Sequence, residues 1–347
     1  MKSVLPCCDY GCRGRLAANP AAVDIAPTFI DDARARLDTN ANQIEGDRAN
    51  MRIVALLALM FSVLPAPAQT VDLPPLPALN DPATNEYLPG KFIWADLFTN
   101  NVERARKFYE LAFGWEWRSI SSGEHAYGIF YNAGLAVAGV AYRAAPEGVE
   151  DYGRWIHYVS VADVMAAGSE IVAKGGEELL GYRNHANRGE FAIYAGPHKE
   201  VFGIMRSSTG DPGDYRAEYG DWIWWELFTR DVKSAIDYYQ AIFDYEIFEK
   251  EDTPEFIDVY LQRHGYARAA IGPLSDDSKQ VPTWLGFIRV EDMTRSLENI
   301  VGHGGKILLA PDPDILDSDL AVIADPVGTL IALLRWDFPE DDTEELP

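Results

Sequence analysis

Cysteine is nearly absent from this sequence. Of 347 residues only Cys7, Cys8 and Cys12 are cysteines, so all three lie close to the start of the chain. Nothing downstream can form a disulfide bond, bind a metal through thiolates or supply a cysteine nucleophile. A folded region without thiols also suits an oxidising compartment, where free thiols are a liability.

Basic side chains are scarce as well. Thirty lysines and arginines stand against 54 aspartates and glutamates, which gives a formal net charge of −24 and an isoelectric point near 4.5. Nucleic acids and anionic membranes are bound through clustered positive charge, so we expect neither as a partner. The 48% hydrophobic and 24% charged residues are instead typical of folded domains, and the length allows two of them.

No apolar run reaches the length of a membrane-spanning helix, which needs roughly 20 residues. The run at 53–64 is shorter; Met51 and one arginine precede it, and a Pro-Ala-Pro-Ala sequence follows it. This layout favours a secretory signal peptide over 51–68, cleaved after Ala68, rather than an anchor. We therefore expect a periplasmic or secreted protein whose translation begins at Met51, with residues 1–50 disordered and resulting from a mis-set start.

An internal repeat organises the rest of the chain. A shift of 130 residues places the segment that begins at Phe92 over the one that begins at Trp222, with ten identities in register. A second pair of segments, beginning at Trp155 and Trp284, matches with a shift of 129. The period is far longer than that of a solenoid, so each copy is a domain.

These matches place the first domain at 90–208 and the second at 221–337. The proline-rich residues 69–89 before the first domain are predicted to form an extended linker. Residues 209–220 would connect the domains, and 338–347 form an acidic tail.

Each half-domain begins with an alternating aromatic and aliphatic run that predicts a strand. A helix follows, capped by Asn101 in the first copy and Asp231 in the second, and three further strand-like runs come after it. The helices of the second halves end at the pairs 175–176 and 304–305, both Gly-Gly, which suit left-handed caps. The order βαβββ therefore occurs four times and predicts an α+β fold, with helices covering one face of each sheet.

This pattern resembles the vicinal oxygen chelate superfamily, which includes glyoxalases, bleomycin-resistance proteins and dioxygenases. The likeness spans roughly 88–336 and is carried by the Gly-Gly closures, the hairpin 325–328 and the aromatic pairs on the helices, Phe108-Tyr109 and Tyr238-Tyr239 ahead of Phe113 and Phe243. The resemblance implies two tandem domains. Each would be a cupped mixed sheet built from two βαβββ modules, with the helices on the outside.

Metal-dependent members of that superfamily bind a divalent ion through His, Glu or Gln side chains on the strands that line the cup. The positions that match those ligands here carry residues that cannot coordinate a metal: Trp94, Ile156, Gly203, Trp224, Leu285 and Ala332. We therefore predict no cofactor, while a divalent metal stays possible if its ligands lie elsewhere. His157 is a weak candidate ligand, because a shift of one residue in a strand turns a side chain to the other face.

Alternate residues share one face of a strand, which predicts the side chains that line each cup. In the first domain these are Trp94, Asp96, Phe98 and Tyr158, and in the second Trp224, Glu226, Phe228 and Phe287. Each cup then holds one carboxylate among aromatic rings. Apolar surroundings raise the pKa of such a group, so Asp96 and Glu226 are candidate general acids or bases, or orient a polar ligand. The alternative is a hydrogen bond that only ties the sheet together.

Our first hypothesis is an exported module that binds a small organic molecule in its aromatic cups without a metal. The second is an enzyme, namely a lyase, dioxygenase or hydroxylase-like protein that uses a metal or acid-base chemistry on Asp96 or Glu226. The third is an interaction module, in which both cups would be filled by their own side chains. A homo-oligomer remains open, and the sequence does not name the ligand, because this fold is widely reused.

Overall fold

The computed structural model describes residues 76–248, 259–274, 280–313 and 316–338. The predicted signal peptide, the 50 residues before it and all but the first residue of the predicted acidic tail lie outside the described residues. In the described ranges, no helix combines the length and apolar character needed to cross a membrane.

The first domain consists of two βαβββ modules. The first module contains β1 (Phe92–Thr99), α1 (Val102–Phe113), β2 (Glu116–Ser121), β3 (Tyr127–Asn132) and β4 (Leu135–Tyr142). The second contains β5 (Gly153–Ser160), α2 (Val164–Ala173), β6 (Glu177–His185), β7 (Gly189–Ala195) and β8 (Val201–Ser207). Together they form one eight-stranded sheet in the order β2-β3-β4-β1-β5-β8-β7-β6. Its two central strands, β1 and β5, run antiparallel, and each has a parallel neighbour on its other side.

The second domain repeats this arrangement. Its third module contains β9 (Trp222–Thr229), α3 (Val232–Phe243), β10 (Glu246–Phe248), β11 (Val259–Arg263) and β12 (Tyr266–Pro273). Its fourth contains β13 (Thr283–Val290), α4 (Met293–Gly302), β14 (Lys306–Leu309), β15 (Leu320–Ala324) and β16 (Leu330–Arg335). The strand order is β10-β11-β12-β9-β13-β16-β15-β14. The predicted four modules and α+β class are confirmed.

Local sequence signals determine where the helices begin and end. At each helix start an Asn or Asp side chain accepts a hydrogen bond from the backbone N–H three residues on: Asn101, Asp163, Asp231 and Asp292. Such a side chain satisfies one of the amide groups that a helix start leaves unpaired. Gly175 and Gly304, which follow α2 and α4, have φ of +97° and +91°, as the Gly-Gly pairs predicted.

The helix-covered faces of the two sheets pack against each other, so each of the two cores between the sheets draws on both domains. One core joins the first and fourth modules, with Leu97 and Phe108 from one domain and Ile288 and Ile300 from the other. The other joins the second and third modules. The opposite faces of the two sheets point away from this contact, and they are the cups.

Two buried tyrosines tie the domains together reciprocally. The hydroxyl of Tyr109 on α1 donates to Oδ2 of Asp325 in the β15–β16 hairpin (3.1 Å) and accepts from Nε1 of Trp155 (3.1 Å). Tyr239 on α3 donates to Oε1 of Glu200, which precedes β8 (2.9 Å), and accepts from Nε1 of Trp284 (3.1 Å). Each domain therefore supplies a tyrosine to the other domain's carboxylate.

We expect Tyr109→Phe and Tyr239→Phe each to lower the free energy of unfolding by about 1–3 kcal/mol. Each change leaves a buried carboxylate short of a donor and an indole N–H short of an acceptor. Urea unfolding followed by tryptophan fluorescence measures the loss. The matched control is Tyr142→Phe, which removes the hydroxyl of an exposed tyrosine and should change stability by less than about 0.5 kcal/mol. If all three variants lost the same amount of stability, the hydrogen bonds of Tyr109 and Tyr239 would have no special role in joining the domains.

Candidate functional site

Cup 1 is the face of the first sheet that carries Trp94, Asp96, Phe98 and Tyr158, and the structure brings these predicted residues together. The β1–β5 register places Trp94 opposite Tyr158. Trp94 and Tyr158 belong to one apolar cluster, and Phe98 packs against it. The alternation of side chains along β1 therefore predicts the lining of this cup.

Asp96 is the centre of a buried polar network in cup 1. Its Oδ1 accepts a hydrogen bond from Nε1 of Trp94 (2.9 Å) and another from the hydroxyl of Tyr127 on β3 (2.8 Å). Burial raises the pKa of Asp96, because it disfavours the charged form. The positive charge of Arg188 and the hydrogen bonds from Trp94, Tyr127 and Tyr158 act in the opposite direction but leave the pKa above its ordinary value.

A glycine on the neighbouring strand makes this network possible. Gly139 on β4 pairs with Asp96. A Cβ atom at that position would lie 2.0 Å from Oδ1 of Asp96 and 2.2 Å from the hydroxyl of Tyr127. Any larger residue would therefore push the two side chains apart.

Arg188 is a member of the site that the sequence did not point to. It lies in the turn before β7 with only 1% of its surface exposed, and its guanidinium carbon is 4.3 Å from the centre of a Trp94 ring. Its Nε donates to the carbonyl of Pro77 (2.8 Å). Nη1 and Nη2 have no hydrogen-bond partner among the described residues. The Asn-Arg-Gly sequence predicts only a turn and says nothing about the direction of its side chain.

The end of the predicted linker crosses cup 1 and closes it. Leu79 is buried in the apolar cluster of the cup, and Leu76 packs against that cluster. The amide of Asn80 donates to the carbonyl of Gly210 (2.7 Å), which holds the segment to the domain. The cavity that remains is about 10 Å³, which is room for about one water molecule. It is lined by Leu76, Trp94, Asp96, Tyr127, Arg188, Phe191 and Met205.

The comparison with protein families agrees with this fold. A family model described as the Glyoxalase/Bleomycin resistance protein/Dioxygenase superfamily matches residues 91–205 and 223–333. The chain belongs to this superfamily. The resemblance inferred from the repeated modules is thereby confirmed.

Several superfamily members are similar to the chain over most of its length. "Putative glyoxylase CFP32" of Mycobacterium bovis is 26% identical over 259 residues, which cover 73% of this chain and 98% of that protein. "Anthracycline biosynthesis protein DauV" of a Streptomyces species is 24% identical, covering 73% and 96%. Among solved structures, a variant of homoprotocatechuate 2,3-dioxygenase from B. fuscum has a TM-score of 0.51 at 12% identity, covering 79% of this chain and 77% of that one. An Mn(II)-bound glyoxalase from Novosphingobium aromaticivorans has a TM-score of 0.48 at 12% identity, covering 72% and 83%.

The strand positions that the superfamily uses for metal ligands do not fit a divalent ion in this chain. Gly203 on β8 pairs with Tyr158, and a Cβ atom there would lie 2.2 Å from the Tyr158 ring. An aromatic ring therefore occupies the space beside this position. Within the described part of the chain, no group of three or more His, Cys, Asp or Glu side chains is placed to hold a metal ion. Divalent ions need several oxygen or imidazole ligands at once, which this set does not supply.

His157, the weak candidate ligand, lies on the opposite face of β5 from cup 1. It is buried between the two domains, where its Nδ1 is 3.2 Å from the donor Nε1 of Trp225. Burial lowers the pKa of His157 to about 3, so the ring is neutral at ordinary pH. A Cβ atom at Gly286 of the second domain would lie 2.8 Å from this ring. His157 therefore contributes to the packing between the two domains.

Cup 2, the face of the second sheet that carries Trp224, Glu226, Phe228 and Phe287, is packed with apolar side chains in the part that the structure describes. The β9–β13 register places Trp224 opposite Phe287, as predicted, and Glu226 opposite Leu285. Leucine, valine and alanine side chains from β14, β15 and β16 complete the cluster: Leu309, Leu320, Val322, Ala332 and Leu334. Glu226 is buried beneath them.

We expect Gly139→Ala to lower the free energy of unfolding by about 1–3 kcal/mol, because the added methyl group collides with Asp96 and Tyr127. Gly213→Ala is the matched control, since a Cβ atom at Gly213 meets no other atom within 4 Å. Thermal and urea unfolding of both variants test this. If the Gly139→Ala protein were as stable as the control, the close packing of Asp96 and Tyr127 against Gly139 would be wrong.

The raised pKa of Asp96 predicts a pH-dependent contribution to stability. The folded protein binds the proton more tightly than the unfolded chain, so the contribution of Asp96 grows as the pH falls through its folded pKa toward the ordinary aspartate value near 4. It is lost as the pH rises above the folded pKa. The difference in unfolding free energy between wild type and Asp96→Asn should therefore change across this acidic window, by at most about 1.4 kcal/mol per pH unit. Urea unfolding at several pH values measures it, and a constant difference would show that the pKa is not raised.

Proposed function

We propose that this superfamily member is a binding protein whose cup 1 takes up a small organic molecule without a divalent metal. The observation that carries the proposal is the buried network of Trp94, Asp96 and Tyr127. Small-molecule sites have mostly apolar walls and a few convergent polar groups that fix the ligand's orientation. Cup 1 has this composition, since Phe191 and Met205 line the same cavity.

Among the residues that the structure describes, the lack of a fitting donor set supports metal-free binding. Trp94 and Gly203 occupy two of the positions that match metal ligands in the superfamily, and neither offers a charged oxygen or an imidazole. Recognition then falls to hydrogen bonds and ring contacts. Asp96 can accept a hydrogen bond, and the Trp94 and Tyr158 rings can pack on a flat or apolar ligand body.

Binding requires cup 1 to open. A cavity with room for about one water molecule cannot hold an organic ligand, so Leu76 and Leu79 have to move first. Segments that move for binding belong to the less stable parts of a protein. Asn80 bonds to Thr209 and Gly210 at one end of the 76–80 segment, and Arg188 donates to the Pro77 carbonyl nearer the other end, so opening has to break this second contact.

We place the ligand in cup 1 alone. Cup 2 is filled by Leu320, Val322 and Leu334, among others, so its aromatic residues serve packing. A filled cup was expected of an interaction module only if both cups were filled. Leu76 and Leu79 of the chain also occupy cup 1, so this expectation does not separate the two hypotheses; the buried Asp96 and Arg188 are what favour ligand binding there.

An acid-base enzyme is the second candidate function, and the raised pKa of Asp96 favours it. A carboxyl group whose pKa lies closer to neutrality can give and take a proton during a reaction. Tyr127, whose hydroxyl donates a hydrogen bond to Oδ1 of Asp96, would hold the carboxyl group in place. In this case, Asp96→Asn should abolish turnover while ligand binding persists.

The matched pair Asp96→Asn and Glu226→Gln tests the binding function, because the two carboxylates occupy equivalent places in the repeat. We expect the purified full chain to be stabilised thermally by members of a small-molecule library. Asp96→Asn should change the affinity for such a hit by about tenfold or more, with weaker binding of a ligand that needs the carboxylate as acceptor and tighter binding of an anionic ligand, and Glu226→Gln should not change it. If only the Glu226→Gln protein lost binding, the ligand would lie in cup 2 and the proposal for cup 1 would be wrong.

Metal content is measured on the same samples. Elemental analysis of the purified chain should give well below one equivalent of Mn, Fe, Ni or Zn, and a chelator should leave ligand binding unchanged. Stoichiometric metal that a chelator removes together with binding would overturn the metal-free proposal.

We also propose that the protein is exported, on the strength of the 51–68 segment. Expression of the full gene should give a periplasmic or secreted product that begins at Gln69, as N-terminal sequencing would establish. Replacing Ala68 with a bulky leucine should block this cut, whereas Ala55→Leu within the apolar run should not. A cytoplasmic, uncut product would contradict export.

A further inference from the structure

Arg188 differs from the other buried arginines in having a free guanidinium end. Arg268 pairs with both carboxylate oxygens of Asp214 (2.6 and 3.0 Å), and Arg289 donates to the carbonyls of Ala217 and Trp336. Arg188 donates only through Nε, to Pro77, and its Nη1 and Nη2 have no partner among the described residues. Buried charges are normally paired, since an unpaired one is costly. The free end of Arg188 therefore calls for a partner that the described residues do not supply.

Asp96 does not fill this role although it lines the same cavity. Its Oδ1 already accepts from Trp94 and Tyr127, and it forms no ion pair with Arg188 in the described structure. The guanidinium carbon of Arg188 lies over the Trp94 ring, 4.3 Å from its centre, and this contact favours its present position. The two free N–H edges are thus held in position beside the cavity.

We propose that cup 1 selects a small molecule with a carboxylate group, whose two oxygens accept hydrogen bonds from Nη1 and Nη2 of Arg188. This inference rests on the proposed binding function and names the ligand class. A planar carboxylate matches the guanidinium fork with two parallel hydrogen bonds. A phosphate would bring more negative charge to a cavity that has one arginine and one aspartate on its wall.

The charge of Asp96 has to be compatible with a second carboxylate. The groups that face Asp96 and affect its charge are Arg188, Trp94, Tyr127 and Tyr158. Burial raises the pKa of Asp96, so this side chain can take up a proton when another carboxylate enters. The ligand and Asp96 then do not repel each other.

The segment that closes the cup indicates what the rest of the ligand is like. Leu76 and Leu79 now occupy the space above the network, and the Pro77 carbonyl is the present acceptor of Arg188. A ligand that replaces them offers an acceptor to Arg188 and an apolar body to Phe191 and Met205. A monocarboxylate with a small apolar or aromatic body has both parts.

Calorimetric titration of the full chain with phenylacetate and with its neutral isostere phenylacetamide tests the inference. We expect the acid to bind about ten- to a hundredfold more tightly than the amide.

Leu79→Ala, which weakens the closure, should tighten phenylacetate binding. Arg188→Met should remove the preference for the acid, and Arg188→Lys, which keeps the charge but not the fork, should lose about tenfold in affinity. Arg268→Lys is the control and should bind as wild type does.

The outcomes separate this inference from the proposed function. Equal binding of acid and amide, or an acid preference that survives in both Arg188 variants, would overturn the carboxylate assignment while leaving ligand binding in cup 1 intact. If neither probe binds wild type or Leu79→Ala, the carboxylate assignment is also wrong, and the library screen decides the binding function independently.

Circular dichroism spectra and thermal melts show whether each variant is folded. Since the free guanidinium is a cost, Arg188→Met should melt no lower than wild type, and a large drop in melting temperature would mark Arg188 as structural.

Discussion

The packing of the two helix-covered sheet faces against each other is the constraint on which the rest of the molecule depends. Each core between the sheets takes residues from both domains, so neither domain buries its helices without the other. The duplication makes the contact reciprocal, and Tyr109 and Tyr239 mark it with a hydrogen bond to a carboxylate of the opposite domain. Because this contact occupies one face of each sheet, the other face is left as a cup.

The two cups have since diverged on the same backbone frame. Asp96 pairs with Gly139 in the first domain, and the corresponding Glu226 pairs with Ala270 in the second. The missing side chain at Gly139 gives Tyr127 access to Asp96, which an alanine would deny. Gly139 therefore leaves room for the polar network of cup 1, whereas an alanine, Ala270, occupies the equivalent place in cup 2.

Cup 1 combines the superfamily fold with residues that do not match the superfamily's metal ligands. The Tyr158 ring lies beside Gly203 on strands that elsewhere in the superfamily supply metal ligands. What the site offers instead is a carboxyl group of raised pKa, an arginine stacked on an indole, and aromatic walls. These groups suit recognition by hydrogen bonds and charge, and the leucines of the 76–80 segment keep them from water.

Local, periodic information determined much of this protein. The repeat, the Asn and Asp helix caps and the two-residue alternation of β1 predicted the modules, the fold and the positions of Trp94, Asp96 and Phe98, because each of these depends only on neighbours in the chain. The same alternation explains why His157 points away from cup 1. Only the tertiary structure decided the pairing of modules across domains, the reach of Arg188 from a turn into the cup and the closure by Leu76 and Leu79. These contacts join residues that are distant in the sequence, such as Tyr109 and Asp325 or Arg188 and Trp94, and no periodicity relates a residue in a turn or an irregular segment to the direction of its side chain.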